Sequence, residues 1–290
     1  MKITLSYIMT TYNKLSFLKI TLPYLIDACK EDEEIVIVDG GSNDGTVDYL
    51  KELYQQKKIH QFISEKDFGE AHGTNKAILM AKGELLKIIT DDDVFDFDVI
   101  NLCKKQMSSD ESIDVIGTEG IAVTVGSEHH TKTQYALKIV KWKNHKENCW
   151  FSGLSLMIRK SSIPFLGLFH TGFKMIDFEY IARLSLIRPN LSFFSGYSYT
   201  TIVNPSSNSF KMYNLLLSEQ KKINEFYLSK GKINKNILKH RIYNALNNTL
   251  IYLKIKPVTR STIKFNYYET YITALYHLKE SNLIKEFKFY

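Results

Sequence analysis

The 290-residue chain has no run approaching the roughly 20 consecutive apolar residues that a membrane-spanning helix requires. Cysteine is scarce. Cys29, Cys103 and Cys149 lie far apart and lack the short spacings of zinc or redox motifs. An odd number excludes a complete disulfide framework and suits a reducing cytoplasm, so the sequons at Asn190 and Asn247 read as chance matches. Internal repeats and low-complexity tracts are also missing. The apolar run from Ile3 to Met9 meets Thr10-Thr11-Tyr12-Asn13-Lys14 without a small-residue cleavage site, and reads as a buried first strand, not a signal peptide. With 44% apolar and 24% charged residues, the composition excludes disordered and fibrous classes. Its length suits one catalytic domain with a smaller appendage.

The net charge of +7 conceals an imbalance. Residues 211–290 carry 15 Lys and Arg against 5 Asp and Glu, with 9 of the 18 tyrosines. The remainder holds 23 basic and 26 acidic residues. This shift predicts two domains, a catalytic one over 1–209 and a basic, Tyr-rich helical subdomain over 210–290. Tail runs such as Tyr213-Leu216-Leu217 and Ile242-Ala245-Leu246-Thr249-Leu250 have helical spacing, with a break at Pro257. The favoured reading packs these stripes on the core or on another subunit, as in a homo-oligomer. The alternative is a peripheral contact at the inner face of the cell membrane, with Lys and Arg drawn to anionic lipid. No nucleic-acid-binding motif accompanies the charge.

The first 120 residues alternate strand and helix patterns. Strands are expected at Ile3–Met9, Glu34–Val38, Ile59–Ser64 and Leu85–Ile89, and helices over 14–30, from Thr46, and over 74–81. Such alternation implies right-handed crossovers and a mainly parallel sheet, whose ligands bind beyond the carboxyl ends of the strands. Thr10–Asn13, Asp39–Asp44 and Asp91–Asp93 each follow a strand, so they converge on one rim. Farther on, the pattern predicts a strand over Trp150–Arg159, a helix from Asp177 to about Leu186, and an extended segment over Leu191–Val203.

Three adjacent aspartates at a strand end repel one another, and a hard divalent cation relieves the conflict while neutralising phosphate oxygens. A solvated acidic turn fits the triplet alone equally well. Asp39, followed by Gly40-Gly41, is placed to accept a hydrogen bond from a base or a ribose hydroxyl, or to form a simple turn with Asp44 as helix cap. Thr10–Lys14 contains no Gly or Arg, which argues against the phosphate loop of a sugar nucleotidyltransferase.

In order, Thr11-Tyr12-Asn13, Val36-Ile37-Val38-Asp39-Gly40-Gly41-Ser42-Asn43-Asp44-Gly45-Thr46, Glu65-Lys66-Asp67-Phe68-Gly69, Asn75-Lys76, Gly83-Glu84 and the triplet resemble glycosyltransferase family 2 over about residues 3–205. The resemblance implies a GT-A type α/β fold and an inverting transfer. A nucleotide-sugar donor, expected to be a UDP-sugar, would give a hexosyl or N-acetylhexosaminyl group to a hydroxyl of a glycan or lipid-linked acceptor. Bacterial surface polysaccharide or glycoconjugate synthesis is the implied setting. By position the resemblance has Thr11 and Tyr12 line the base pocket, Asp39 hold the base, Asn13, Asp67 and Asn75 add donor contacts, and Asp91 face the ribose. Asp92 binds Mn²⁺ or Mg²⁺, with Asp93 as second choice, because the family's Asp-x-Asp can be laid on Asp91–Asp93 or shifted so that Thr90 replaces its first Asp. Ile176-Asp177-Phe178-Glu179-Tyr180-Ile181-Ala182-Arg183 resembles the family's acidic helix start, which makes Asp177 the general base. The chain departs from the family at Met9-Thr10 and at Ala71-His72-Gly73. His72 and His170 are weaker candidates for substrate contact. A non-catalytic glycan- or lipid-binding protein on the same scaffold is the rival reading.

Overall fold

The computed structural model describes residues 2–124, 130–203, 212–228, 266–283 and 286–290. In chain order the elements are β1 (Leu5–Thr11), α1 (Leu15–Ala28), β2 (Glu33–Asp39), α2 (Thr46–Gln55), β3 (Gln61–Ser64), α3 (Glu70–Met80), β4 (Leu85–Ile88), β5 (Val94–Phe95) and α4 (Phe97–Ser109). There follow β6 (Val115–Thr124), β7 (His130–Lys132), α5 (Tyr135–Lys143), β8 (Met157–Arg159), α6 (Ile163–Leu166), α7 (Ile176–Ile187), β9 (Leu191–Val203), α8 (Tyr213–Ile223) and α9 (Tyr267–Leu283).

One sheet runs β3-β2-β1-β4-β8-β6-β9-β5, with β7 attached to β6. The strands β3, β2, β1 and β4 are parallel, as the alternating pattern requires. Then β8 enters antiparallel between β4 and β6, and β6 lies parallel to β9. Both faces of the central strands are covered, which explains their unbroken apolar runs. Tyr7, Met9, Ile35 and Ile37 pack with Leu18, Leu22 and Leu25 of α1 and with α4. The alternate residues Ile8, Val36 and Val38 pack with Ala77 and Ile78 of α3 and with Tyr180, Ile181 and Leu184 of α7.

The strand expected over Trp150–Arg159 is only three residues long. Ser152 turns the chain by accepting a hydrogen bond from the Leu154 N–H, a 3₁₀ turn fills Gly153–Ser155, and pairing begins at Met157. The cause is Lys87 in β4. Its side chain is buried, donates to the carbonyls of Leu154 and Leu156, and lies 5.4 Å from the centre of the Phe95 ring. Burial pushes the Lys87 ammonium down to about 7. From there to the ordinary lysine range the unfolded chain binds more protons, so this group makes stability rise with pH. Urea unfolding is expected to show wild type gaining about 2 kcal/mol relative to Lys87→Met between pH 7 and 9.

The described parts of the tail dock on the sheet. Tyr271, Ala274 and Leu278 of α9 pack with Val94, Ile121, Val123 and Ile202. Lys279 bonds Asp96 at 2.9 Å and Asp98 at 2.6 Å, and Asn282 donates to Asp96 at 2.8 Å. The C-terminal Tyr290 exchanges backbone hydrogen bonds with Phe193. Leu216 and Leu217 lie on α8. The run Ile242–Leu250, Asn247 and Pro257 lie outside the described residues. Among the described residues no helix is long and apolar enough to cross a membrane.

Candidate active site

The strand ends meet as the alternating pattern requires. Thr11, the last residue of β1, pairs in register with Asp39, the last of β2. Across the other edge of β1, the Thr11 hydroxyl donates to Asp91 Oδ2 at 2.7 Å. Beyond them Asn13 takes a left-handed backbone (φ 54°), a conformation that asparagine tolerates. Its N–H donates to Ser42 Oγ at 2.7 Å, and its Oδ1 accepts the Asn43 N–H at 2.9 Å. Asp44 accepts from the N–H groups of Leu15 and Thr46, so it joins two loops; the residue that precedes α2 is Gly45, in left-handed conformation. Tyr12 is exposed at this rim.

Asp39 is completely buried, and its carboxylate is taken up by its own loop. It accepts from the N–H groups of Gly41 and Ser42 at 2.9 Å each, from the Ser42 hydroxyl, and from Ser64 Oγ at 2.7 Å. Asp39 thus shapes the Gly40–Ser42 loop from beneath. Asp67 sits against that loop. A Cβ at Gly40 would fall 2.9 Å from Asp67 Oδ2, so this glycine makes room for the carboxylate, while one at Gly73 would meet Thr10 Oγ1 first, at 2.1 Å. Asn75 is engaged elsewhere: its amide donates to the Phe169 carbonyl at 2.8 Å and accepts the Phe169 N–H at 2.9 Å. It clamps a distant segment.

The aspartate triplet divides. Lys14 Nζ lies 2.5 Å from Asp92 Oδ2 and 3.7 Å from Asp91 Oδ1. Burial alone would lower the Lys14 pKa, but Asp91 and Asp92 more than offset it and hold the ammonium above its ordinary value. Burial, then the neighbouring Asp92 charge, raises both Asp91 and Asp93 well above the carboxylate range. Asp93 is turned inward. Thr90 donates to one of its oxygens at 2.8 Å and the Ile202 N–H to the other at 3.0 Å. That leaves Asp92, assisted by Asp91, as the carboxylate available to a cation. Among the described residues no group of three or more His, Cys, Asp and Glu is arranged to hold a metal ion. The donor set still fits Mg²⁺ or Mn²⁺ as used on phosphate substrates, where one or two carboxylates suffice and phosphate and water complete the shell.

Asp177 lies half-buried in the first turn of α7, and its charge acts together with those of Asp91 and Asp92 on Glu70 of α3. Asp177 accepts the Phe178 N–H at 2.8 Å, and burial raises its pKa despite further backbone hydrogen bonds, including one from Gly153. The helix start is fixed from the tail: Glu219 of α8 accepts the N–H groups of Lys174 and Met175 at 2.8 and 2.9 Å. Glu179 and Arg183 form an ion pair, with Nε–Oε1 at 2.9 Å, that also holds the Leu168 carbonyl and the Tyr227 hydroxyl. Their role is to hold the loop against α7. His72 accepts the Phe68 N–H at 3.2 Å and His170 the Gly172 N–H at 3.0 Å, so both imidazoles brace their own turns.

Glu70 was not singled out from the sequence. It stands exposed in the first turn of α3, where the surrounding protein, then the charges of Asp177, Asp91 and Asp92, raise its pKa. The sequence pattern starts this helix at Thr74, four residues late, which puts Glu70 in a loop. An acid after Gly69 was the signal for the earlier start.

A Cβ at Gly153 would lie 2.4 Å from Asp177 Cβ. Gly153→Ala is therefore expected to push Asp177 out of place and lower turnover on the order of 10²-fold with nucleotide affinity unchanged, read by steady-state kinetics against nucleotide titration.

The sequence model of "Glycosyl transferase family 2" matches residues 6–182. The chain is 31% identical over 87 residues to the chondroitin synthase of Escherichia coli, covering 30% of this chain and 13% of that protein. It is 25% identical over 107 residues to the hyaluronan synthase of Pasteurella multocida, covering 37% and 11%. The match thus spans only about a tenth of these relatives' length. Among solved structures, residues 1–349 of Staphylococcus aureus TarS with UDP-GlcNAc align at TM-score 0.57 and 15% identity, covering 97% of this chain and 82% of that one. The mannosyltransferase PcManGT of Pyrobaculum calidifontis, in complex with GDP-Man and Mn²⁺, aligns at 0.59 and 16%, covering 99% and 89%. Those two likenesses identify the fold as GT-A. With more than half its residues matched by the family's sequence pattern, the chain belongs to glycosyl transferase family 2.

Proposed function

We propose that the chain transfers a sugar, with inversion, from a nucleotide-sugar donor, a UDP-sugar in the first instance, to a hydroxyl of a glycan or lipid-linked acceptor in bacterial surface polysaccharide synthesis. The observation that carries this reading is that Asp91, Asp92 and the half-buried carboxylate of Asp177 all act electrostatically on one neighbour, Glu70, and so surround one site. Asp177 takes the proton from the acceptor hydroxyl as the oxygen attacks the anomeric carbon in line, and its raised pKa makes it a better base than an ordinary carboxylate. The nucleotide lies on the rim formed by Thr11, Tyr12 and Asn13, by Asp67, and by the loop that Asp39 holds. Asn75 acts by anchoring the segment at Phe169. A divalent metal on Asp92, when bound, neutralises the departing diphosphate. Residues 1–209 form the catalytic unit in this reading, and 210–290 brace it through Glu219 and α9.

The polysaccharide setting is supported by the chondroitin and hyaluronan synthases among the relatives. The GT-A neighbours bind UDP-GlcNAc, and GDP-Man with Mn²⁺, which supports donor class and metal. Thermal unfolding with a panel of nucleotide sugars, with and without Mn²⁺, tests the donor class. One donor is expected to raise Tm by mass action. If none does, and simple glycans do, the chain is a glycan-binding protein.

A further inference from the structure

An ammonium already sits against the aspartate triplet. Lys14 leaves the end of β1 just ahead of α1, and its side chain is only 21% exposed. Its ammonium makes the 2.5 Å contact with Asp92 and the 3.7 Å contact with Asp91, and lies 4.8 Å from the centre of the Phe17 ring. A partly buried ammonium bonded to a carboxylate is expensive to remove without a replacement. A divalent ion seeking the same Asp92 oxygen would meet a positive charge within about 4 Å, close enough for strong repulsion at the dielectric near a protein surface. Asp92 therefore has two suitors, and the ligand-free cleft already satisfies one.

We infer that Lys14 competes with the divalent metal for Asp92, so that metal binding in this chain is coupled to the nucleotide diphosphate, which takes over the displaced ammonium. This rests on the metal-dependent donor reading above and deepens it. Lys14 is a positioning residue here: it keeps the acidic cleft closed to free cations and turns to the diphosphate when donor and metal enter together. A diphosphate offers the negative oxygens needed to repair both losses, since it ligates the metal and accepts from the lysine.

The test is Mn²⁺ binding, measured by the free-ion paramagnetic resonance signal, for the protein alone and with UDP or GDP. Wild type is expected to bind Mn²⁺ at least tenfold more tightly with the better nucleotide than without. Lys14→Met is expected to bind nucleotide-free Mn²⁺ at least tenfold more tightly than wild type, and to lose most of the nucleotide enhancement. Lys14→Arg is expected to behave as wild type. Equal Mn²⁺ affinity of wild type with and without nucleotide overturns the coupling, whatever the variant does. So does a folded Lys14→Met whose nucleotide-free affinity is unchanged or weaker. Absence of Mn²⁺ binding in every protein, with every nucleotide, overturns the metal reading along with it, and so is distinguishable from failure of the competition alone.

Discussion

Replacing Asp177 with asparagine is expected to lower sugar transfer by about 10²–10⁴-fold, the range typical of a lost general base. Asparagine is nearly isosteric and its Oδ1 still accepts the Phe178 N–H, so α7 should start where it does now. Nucleotide affinity should therefore stay within about twofold, because Asp177 is not among the rim residues proposed to hold the donor. Stability should not fall. Burial disfavours the charged Asp177, so a neutral amide removes a cost and gives the stability gain often seen when a catalytic group is deleted. The sign of the pH effect follows from the same burial. The folded-state pKa is raised, so the working carboxylate is lost as pH falls, and the acid limb of the turnover profile should lie above the range of an exposed aspartate. That limb should vanish in Asp177→Asn. Turnover and pH profile in the two proteins, with the nucleotide Kd measured alongside, check all three statements.

The second large effect belongs to Asp92. Asp92→Ala removes the carboxylate of the triplet that holds the Lys14 ammonium most closely, and several kcal/mol of charge stabilisation for the departing diphosphate go with it. Turnover is expected to drop by at least about 10²-fold, with the Mn²⁺ dependence abolished or shifted to far higher concentration. Asp93→Asn should behave differently. Both Asp93 oxygens accept hydrogen bonds from the protein, and an amide keeps at least one of them, so its Mn²⁺ dependence should match wild type. A Mn²⁺ titration of activity on the three proteins separates the two neighbours, which the sequence could not do.

What was legible in the sequence follows from the physics of each segment. The strands β1, β2 and β4 are buried on both faces and bounded by turn-forming residues, so their apolar runs are unambiguous, and the rule that parallel strands end together placed Thr11, Asp39 and Asp91 on one rim. Side-chain direction was not legible. Neighbouring aspartates look alike in a sequence, yet Asp92 meets Lys14 while Asp93 meets Thr90 and Ile202, a residue more than a hundred positions later. The pattern points Asp39 at the base, and its carboxylate also holds the loop that follows it, which the sequence does not show. The error at Trp150–Arg159 has the same origin: a β-prone sequence yields to a 3₁₀ turn because Lys87, on another strand, claims its carbonyls. Glu70 was missed through a late helix start. Glu219 lay in a segment recognised only as basic, yet it is an acid there that holds the base-bearing helix.

The most direct measurement is proton magnetic resonance of the anomeric signal as wild-type protein, with Mn²⁺, transfers or hydrolyses the donor that most raises its Tm. A single displacement assisted by Asp177 requires the first-formed product to have the anomeric configuration opposite to that of the donor, and the signal to be lost in Asp177→Asn. A product of retained configuration, or the same rate in both proteins, would contradict it.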